Sequence, residues 1–348
     1  MDTRRQTAMG VAAFTLWLAA APLAWAVALA HWLPSEPLAS PSYLPAAEVR
    51  RVREPWDPKL LDDLKAQDPG AVIIGDSMAG RVDPVRLGEL IDHRPVATLV
   101  APATGSGWWY LAFKNVVVAS GIKPKWVIVF LRDTNLTDPM FRLLEPYRQK
   151  LDAVAHDLEP ELNDVVGQHV DGPWYRVHVV AERLYGIASV RRWIEPRITL
   201  WLARLATGNR QKHALLDDMN EAFGLKHLRP IVQADMAASD DADADFAANI
   251  DRSLLPTWVS LAQQHQLRVA FIKILRRPID GHPPPESPAL QQYTKDLRAW
   301  LEGRGMVFID DRDNPALWKL PYADGDHTDG AAMTPYAETL AAELEKIK

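Results

Sequence analysis

The sequence predicts an α/β protein with three layers, in which helices cover both faces of a mostly parallel five-stranded sheet. Short apolar runs rich in β-branched residues are typical of buried parallel strands, and five occur, at residues 71–74, 96–100, 126–131, 267–275 and 306–309. Helical stretches accompany them at residues 56–67, 254–265, 290–302 and 335–348. Strands that alternate with helices favour a doubly wound parallel sheet, because right-handed crossovers place helices on both faces.

The composition indicates a globular protein and excludes several kinds of functional site. The 348 residues are 48% hydrophobic and 24% charged, which is typical of a globular chain. A formal net charge of −6 argues against nucleic acid as a partner. The chain has no cysteine, so disulfides, thiolate metal sites and a cysteine nucleophile are excluded.

The amino-terminal sequence predicts that the chain is attached to a membrane. Residues 8–33 contain no Asp, Glu, Lys or Arg, and about 20 apolar residues suffice for a helix to cross a bilayer. Arg4 and Arg5 precede this segment, which favours a cytoplasmic amino terminus. We therefore expect a single-pass anchor in the inner (cytoplasmic) membrane that holds a periplasmic, extracytoplasmic domain. A cleaved signal peptide, with small residues such as Ala24 and Ala26 at the cleavage site, is the alternative.

The rest of the sequence predicts a stalk followed by one catalytic domain. Residues 34–70 combine a Pro- and Ser-rich linker with the first helix. Residues 71–348 carry all five predicted strands. The alternation breaks between about residues 141 and 245, where a helical pattern predicts an insertion.

A candidate nucleophile follows the first strand. The motif Gly75-Asp76-Ser77 places Ser77 at the carboxyl end of a parallel strand, where a helix is expected to begin. Ligands of doubly wound sheets bind at this edge, and backbone N–H groups there can stabilise an oxyanion. Asp and Ser also cap helices, so a purely structural role is the alternative.

A candidate base lies near the end of the chain. Asp324 precedes His327 by three residues in one loop, so the carboxylate can orient the imidazole that removes a serine proton. One alternative is a polar loop whose histidine caps the last helix. Another is a metal site formed with Asp326 and Asp329, since carboxylates and imidazole bind divalent cations. We favour the serine chemistry, which requires neither metal nor cofactor.

These two motifs together resemble the first and last blocks of the SGNH (GDSL) hydrolase superfamily, whose sheet is flavodoxin-like. Residues 98–107 resemble its glycine block, with Gly105 as the best backbone donor and Gly107 as the fallback. Residues 131–135 resemble its Gly-x-Asn-Asp block, but Arg132 stands where glycine is usual and Asn135 is displaced from the standard spacing. The resemblance covers residues 71–135 and 267–348.

The resemblance implies a role for each matching residue. Ser77 would be the nucleophile, His327 its base and Asp324 the group that orients the imidazole. The oxyanion hole would combine the N–H groups of Ser77 and Gly105 with the Asn135 side chain. Three further residues are secondary candidates for the site, namely Asp76, Arg132 and Trp108. Trp108 begins a Trp-Trp-Tyr run that could either stack on a sugar or pack in the core.

The anchor favours one function within this superfamily. Anchored SGNH proteins resemble the acyl-transfer partners of alginate, cellulose and teichoic-acid acylation systems. The resemblance implies transfer of acetyl groups from a multispanning membrane-bound acyltransferase to an extracytoplasmic polysaccharide. The alternatives are an exported carbohydrate esterase or deacetylase, and a catalytically inactive scaffold of a membrane complex.

Overall fold

A computed structural model describes residues 59–143, 150–151, 153–155, 159–169 and 244–347, together with Trp17 and Ala20. The chain divides into two compact units, of which one comprises Met1–Glu54 with Val170–Lys212 and the other Pro55–His169 with His213–Lys348. Apart from Trp17 and Ala20, the described residues belong to the second unit.

The second unit is organised around a parallel sheet of five strands. Its members are β1 (Ala71–Gly75), β2 (Val96–Val100), β3 (Trp126–Leu131), β4 (Val269–Lys273) and β5 (Val307–Asp310). They lie in the order β2-β1-β3-β4-β5, and every adjacent pair is parallel. The predicted α/β fold with a five-stranded parallel sheet is therefore confirmed.

Two strands begin later than the apolar runs predict. Leu267 donates its N–H to the Ala262 carbonyl at 2.9 Å, and Met306 donates to the Leu301 carbonyl at 3.0 Å. Both residues thus finish the turn of a preceding helix, and their N–H groups are not available to the sheet. Apolar residues at such a junction pack in the core without belonging to the strand, which sequence periodicity does not distinguish.

Helices follow or precede most strands. The longer ones are Lys59–Gln67, Pro84–Ile91, Pro160–His169, Leu255–Gln264, Pro288–Glu302 and Met333–Lys346. A further helix, Ser106–Leu111, continues into a π-helical stretch at Ala112–Val118. Local residues explain the starts of some helices: Asp83 accepts from Val85 and Arg86, and Ser287 accepts from Leu290.

Both faces of the sheet are covered, which gives the three layers. On one face Ile73, Ile128 and Ile272 pack in a cluster with Leu87 and Leu340 from two helices. On the other face Trp258 of helix Leu255–Gln264 contacts Phe271 of β4, with ring centroids 5.6 Å apart. Trp258 also meets Phe113 of the π-helical stretch at 5.5 Å. Strands β1, β3 and β4 are consequently buried along their whole length, whereas Thr98 of the edge strand β2 is exposed.

Several predictions fall outside the described residues. Within the part of the chain that the structure describes, no helix has the length and apolar character needed to cross a bilayer. The predicted membrane segment, residues 8–33, lies outside that part except for Trp17 and Ala20. Most of the predicted insertion, residues 141–245, also lies outside it, although helix Pro160–His169 is described.

Candidate active site

The Ser77 turn is built by its neighbours at the carboxyl end of β1. Asp76 caps the turn, because its side chain accepts the Met78 N–H at 3.0 Å and its carbonyl accepts the Ala79 N–H at 3.0 Å. The helix that was expected to begin here is a short 3₁₀ helix, Ser77–Arg81. A Cβ on Gly75 would approach the Ala79 Cβ to 2.8 Å, so glycine permits the sharp bend. The bend leaves Ser77 partly exposed at the edge of the sheet.

The His327 loop is held by its own backbone. Tyr322 and Thr328 pair in an isolated antiparallel bridge, and the Ala323 N–H donates to the His327 carbonyl at 2.9 Å. Inside this turn the Asp324 Oδ1 accepts the backbone N–H groups of Asp326 at 2.8 Å and of His327 at 2.7 Å. The segment from Asp324 to His327 thus forms an Asx-type turn.

Ser77, His327 and Asp324 form a continuous hydrogen-bonded chain. The His327 Nε2 lies 2.8 Å from the Ser77 Oγ. The Nδ1 of the same ring lies 2.8 Å from Asp324 Oδ2 and 3.0 Å from Asp324 Oδ1. An ionised carboxylate only accepts, so Nδ1 carries the proton and Nε2 is left to accept from the serine hydroxyl. This arrangement is able to remove a proton from Ser77 and to hold it.

Asp324 is kept ionised by its surroundings. Burial acts to raise the pKa of Asp324, but the backbone N–H groups of His327 and Asp326 and the His327 ring outweigh it, so the pKa lies below its ordinary value of 3.8. The carboxylate is about one-quarter exposed. It therefore remains charged at neutral pH and stabilises a positive charge that develops on the imidazole.

The candidate oxyanion donors follow three neighbouring strands. Ser77 follows β1, Gly105 follows β2 and Asn135 follows β3, so all three lie at one edge of the sheet. Among the described residues, the Ser77 and Gly105 N–H groups donate to no acceptor. Asn135 is 5% exposed, and its Nδ2 has no hydrogen-bond partner in the same part of the chain. An amide donor that is buried without a partner is costly, which is consistent with a group kept for a ligand.

Gly105 is enclosed by the segment that follows β3. A Cβ at this position would lie 2.2 Å from the Phe141 carbonyl oxygen, which is incompatible with any side chain. Ser106 donates its hydroxyl to the Asp138 carbonyl at 2.9 Å and so ties the two segments together. Gly107, the fallback donor, lies one residue inside helix Ser106–Leu111. Gly105, by contrast, precedes this helix.

Ion pairs that the sequence does not predict join the segments around the site. Arg142 pairs with Asp76 at 3.2 Å, beside Ser77. Arg132, the residue at the usual glycine position, pairs with Asp326 at 2.5 Å, beside His327. Arg276, which follows β4, contacts Asp133, which follows β3. Each of these charged residues follows a strand or lies in the His327 loop. The strand order decides which acidic residue contacts which basic one, and the spacing of residues in the sequence does not predict these pairs.

The secondary candidates take different places. Asp76 is 1% exposed, and burial raises its pKa in spite of the Met78 N–H and Arg142. Trp108 is 8% exposed and donates its indole N–H to the Lys150 carbonyl at 2.9 Å. Its two neighbours, Trp109 and Tyr110, are fully buried. These contacts favour the core interpretation of the aromatic run over a sugar-binding platform.

The acidic residues of the His327 loop do not converge on a common point. Asp324 accepts from His327, whereas Asp326 faces Arg132 and Asp329 caps the next turn through the Ala331 N–H. In the described ranges there is no group of three or more His, Asp or Glu residues that could hold a metal ion. The geometry does not support the alternative of a metal site at these four residues.

Comparisons with known proteins give distant structural neighbours. No family model and no curated protein matches the sequence. The chain is similar to a GDSL-like lipase from Bacteroides thetaiotaomicron, with 12% identity, a TM-score of 0.37 and coverage of 83% of this chain and 98% of that chain. It is also similar to a predicted acylhydrolase from Bacteroides fragilis, with 11% identity, a TM-score of 0.36 and coverage of 84% and 98%. Likeness of this extent assigns no activity to the chain.

Proposed function

We propose that this protein is a serine acyl-ester enzyme of the SGNH type, with Ser77 as nucleophile. One observation carries the proposal, the contact of 2.8 Å between the Ser77 Oγ and the His327 Nε2, with Asp324 on the opposite nitrogen of the ring. A helix cap requires neither an imidazole on the serine hydroxyl nor a carboxylate behind that imidazole. A hydroxyl, a base and an orienting acid in series are what activation of a serine requires.

The first half of the reaction forms an acyl-enzyme. The Ser77 oxygen attacks the carbonyl carbon of the acyl donor while its proton passes to His327 Nε2. The negative charge on the former carbonyl oxygen is stabilised by the N–H groups of Ser77 and Gly105 and by Asn135 Nδ2. The tetrahedral intermediate then collapses, and the leaving alcohol departs with the proton from His327. The acyl group remains on Ser77 as an ester.

The second half regenerates the enzyme. An acceptor hydroxyl, from water or from a sugar, gives its proton to His327 Nε2 and attacks the acyl carbonyl. Collapse of the second intermediate returns the proton to the Ser77 oxygen and releases an acid or a new ester. The same three side chains serve both outcomes, so the choice between hydrolysis and transfer depends on which acceptor occupies the site.

Within this class we propose acetyl transfer to an extracytoplasmic polysaccharide. The apolar segment at residues 8–33 with Arg4 and Arg5 before it supports a chain anchored in the inner membrane, with its catalytic domain in the periplasm. A retained anchor would keep Ser77 close to a multispanning acyltransferase that delivers acetyl groups across the bilayer. An exported carbohydrate esterase is the alternative, because the same site hydrolyses esters when water is the acceptor.

Labelling with a fluorophosphonate tests the serine chemistry. The full-length wild type should form a covalent adduct at Ser77, and Ser77→Ala should abolish it. Ser260→Ala is the matched control, because Ser260 is an exposed serine on helix Leu255–Gln264 and its loss should leave labelling unchanged. Absence of an adduct at Ser77 in the folded wild type would favour an inactive scaffold.

An acceptor assay separates transfer from hydrolysis. The full-length protein is given an activated acetyl ester with and without an oligosaccharide acceptor, and acetylated product is measured by mass spectrometry. Transfer predicts product that depends on both the acceptor and Ser77. Full turnover without any acceptor, and no acetylated oligosaccharide, would support the esterase instead.

A further inference from the structure

Asp326 is placed between two catalytic candidates but faces away from both of them. Its neighbours in the chain include Asp324 and His327, and it is itself 2% exposed. Its Oδ2 accepts from the Arg132 Nη1 at 2.5 Å, while its Oδ1 has no hydrogen-bond partner among the described residues. The Arg132 guanidinium is thus the cation in direct contact with this buried carboxylate. Its Nε also lies 3.5 Å from the Asp133 carboxylate, which Arg276 contacts as well.

The backbone of Asp326 is held from the other side by Arg81. The Arg81 Nη2 donates to the Asp326 carbonyl at 2.9 Å, and the Arg81 Nε donates to the Met78 carbonyl at 3.0 Å, one residue after Ser77. Arg81 is 2% exposed and lies 3.6 Å from the Asp311 carboxylate. One fully buried guanidinium therefore links the Ser77 turn to the His327 loop.

The position of Asp326 is coupled to that of the imidazole through the Asp324 turn. The Asp324 Oδ1 accepts the N–H of Asp326 and the N–H of His327 together. A shift of Asp326 would consequently disturb the carboxylate that orients the ring. The contact between the ring and Asp324 is itself less enclosed, since these two side chains are 35% and 26% exposed.

We infer that Arg132 is a positioning residue, which holds His327 in contact with Ser77 by fixing Asp326 from the β3 side. This inference rests on the proposed function. Arg132 follows β3 as Asn135 does, so the same segment supplies an oxyanion donor and the anchor of the base. Loss of Arg132 would leave this buried carboxylate without the cation that it contacts, and the loop would move to hydrate that charge.

Kinetics of two Arg132 variants of the full-length protein test the inference. Arg132→Met should slow Ser77 labelling by about 10-fold to 100-fold, because a displacement of the order of 1 Å is costly at a reacting centre. With an activated acetyl ester, the loss should appear in kcat and leave KM unchanged, since Arg132 is assigned no contact with substrate. Arg132→Lys retains a cation and should recover part of the rate.

A double-mutant cycle distinguishes positioning from an unrelated effect. Asp326→Asn removes the charge that Arg132 neutralises, so the double variant Arg132→Met/Asp326→Asn should lose no more activity than the worse single variant. Arg94→Met is the matched control, because Arg94 pairs with Asp92 at 2.6 Å before the start of β2, at the opposite edge of the sheet. It should label at the wild-type rate. Near-UV circular dichroism establishes that each variant is folded.

The outcomes separate the two proposals. A folded wild type without an adduct at Ser77 would overturn the proposed function. If the wild type is labelled, the positioning role fails when Arg132→Met labels at the wild-type rate, when its loss lies in KM alone, or when the losses of the two single variants multiply. If Arg132→Met does not fold, Asp326→Asn and Arg132→Lys must still lower kcat for the inference to stand.

Discussion

His327 Nε2 lies 2.8 Å from Ser77 Oγ, across a separation of 250 residues in the chain. The two residues meet because Ser77 begins the turn after β1, while the His327 loop returns to the same edge of the sheet after β5. Arg277 donates its N–H to the Gly325 carbonyl at 2.9 Å, and so holds that loop against the end of β4. The contact is thus a consequence of parallel strands whose carboxyl ends share one edge.

Removal of the imidazole should abolish catalysis. His327→Ala is expected to lower kcat by about 10⁴-fold to 10⁶-fold, because Ser77 then has no group to accept its proton. Hydrolysis of an activated acetyl ester by the full-length protein measures the loss. His265→Ala changes an exposed histidine at the end of helix Leu255–Gln264 and should have the wild-type rate. Equal activity of both variants would contradict the assignment of the base.

Replacement of Asp324 by asparagine should affect activity and the pH dependence of stability. Asp324→Asn is expected to slow Ser77 labelling by about 10⁴-fold, because an amide can hold the wrong tautomer of His327. Since the folded state lowers the pKa of Asp324 below 3.8, the carboxylate stabilises the protein at higher pH. That contribution should be complete above about pH 5 and decline as the pH falls past 3.8 towards the folded pKa.

Thermal melting of the wild type and Asp324→Asn between pH 3 and pH 7 measures this stabilisation. The midpoint of the wild type should exceed that of the variant at neutral pH, and the gap should narrow in acid. A gap that stays constant over the whole range would show that the Asp324 charge does not contribute to stability.

Asn135 and Asn115, which are both buried, should respond in opposite ways. Asn135→Ala is expected to lower kcat by about 10²-fold to 10³-fold through loss of an oxyanion donor. It removes no hydrogen bond within the described residues, so the free energy of unfolding should change little. Asn115 donates to the Val154 carbonyl and to Glu159, both at 2.7 Å. Asn115→Ala should therefore destabilise the fold by about 1–3 kcal/mol and leave the labelling rate of the folded protein unchanged.

Chemical denaturation and labelling of both variants provide the test. Slow labelling by Asn115→Ala and normal labelling by Asn135→Ala would reverse the assignment. That result would also mean that the Asn135 side chain is not the oxyanion donor of the site.

Glycine should be required at residue 105 but not at residue 80. A Cβ at Gly105 would meet the Phe141 carbonyl at 2.2 Å, whereas nothing lies within 4 Å of a Cβ at Gly80. Gly105→Ala is expected to destabilise the protein by about 1–3 kcal/mol through overpacking and to lower kcat. Gly80→Ala should be close to neutral in both. Thermal melting and ester hydrolysis measure the pair, and a neutral Gly105→Ala would show that the Phe141 segment is free to move away.

The amino-acid sequence by itself determined the five strands to within a few residues, the starts of some helices and the two local motifs. Apolar runs define most of β1 to β5, because both faces of this sheet are covered. Three of the strands also contain a polar residue, namely Thr98, Lys273 and Asp310. Asp76 and Ser77, and likewise Asp324 and His327, lie close together in the chain, so each pair carries its own turn chemistry. These features depend on interactions within a few residues, which a sequence displays directly.

Only the tertiary structure decided which distant side chains meet. The strand order β2-β1-β3-β4-β5 brings Arg132 to Asp326 and Arg142 to Asp76, and no periodicity encodes such pairs. It also buries Trp108, which the sequence left open as a sugar platform or core residue. Packing and strand order depend on contacts among all the strands and helices, which are far apart in the sequence. The partner of a charged residue, or the burial of an aromatic one, is therefore settled only when the chain has folded.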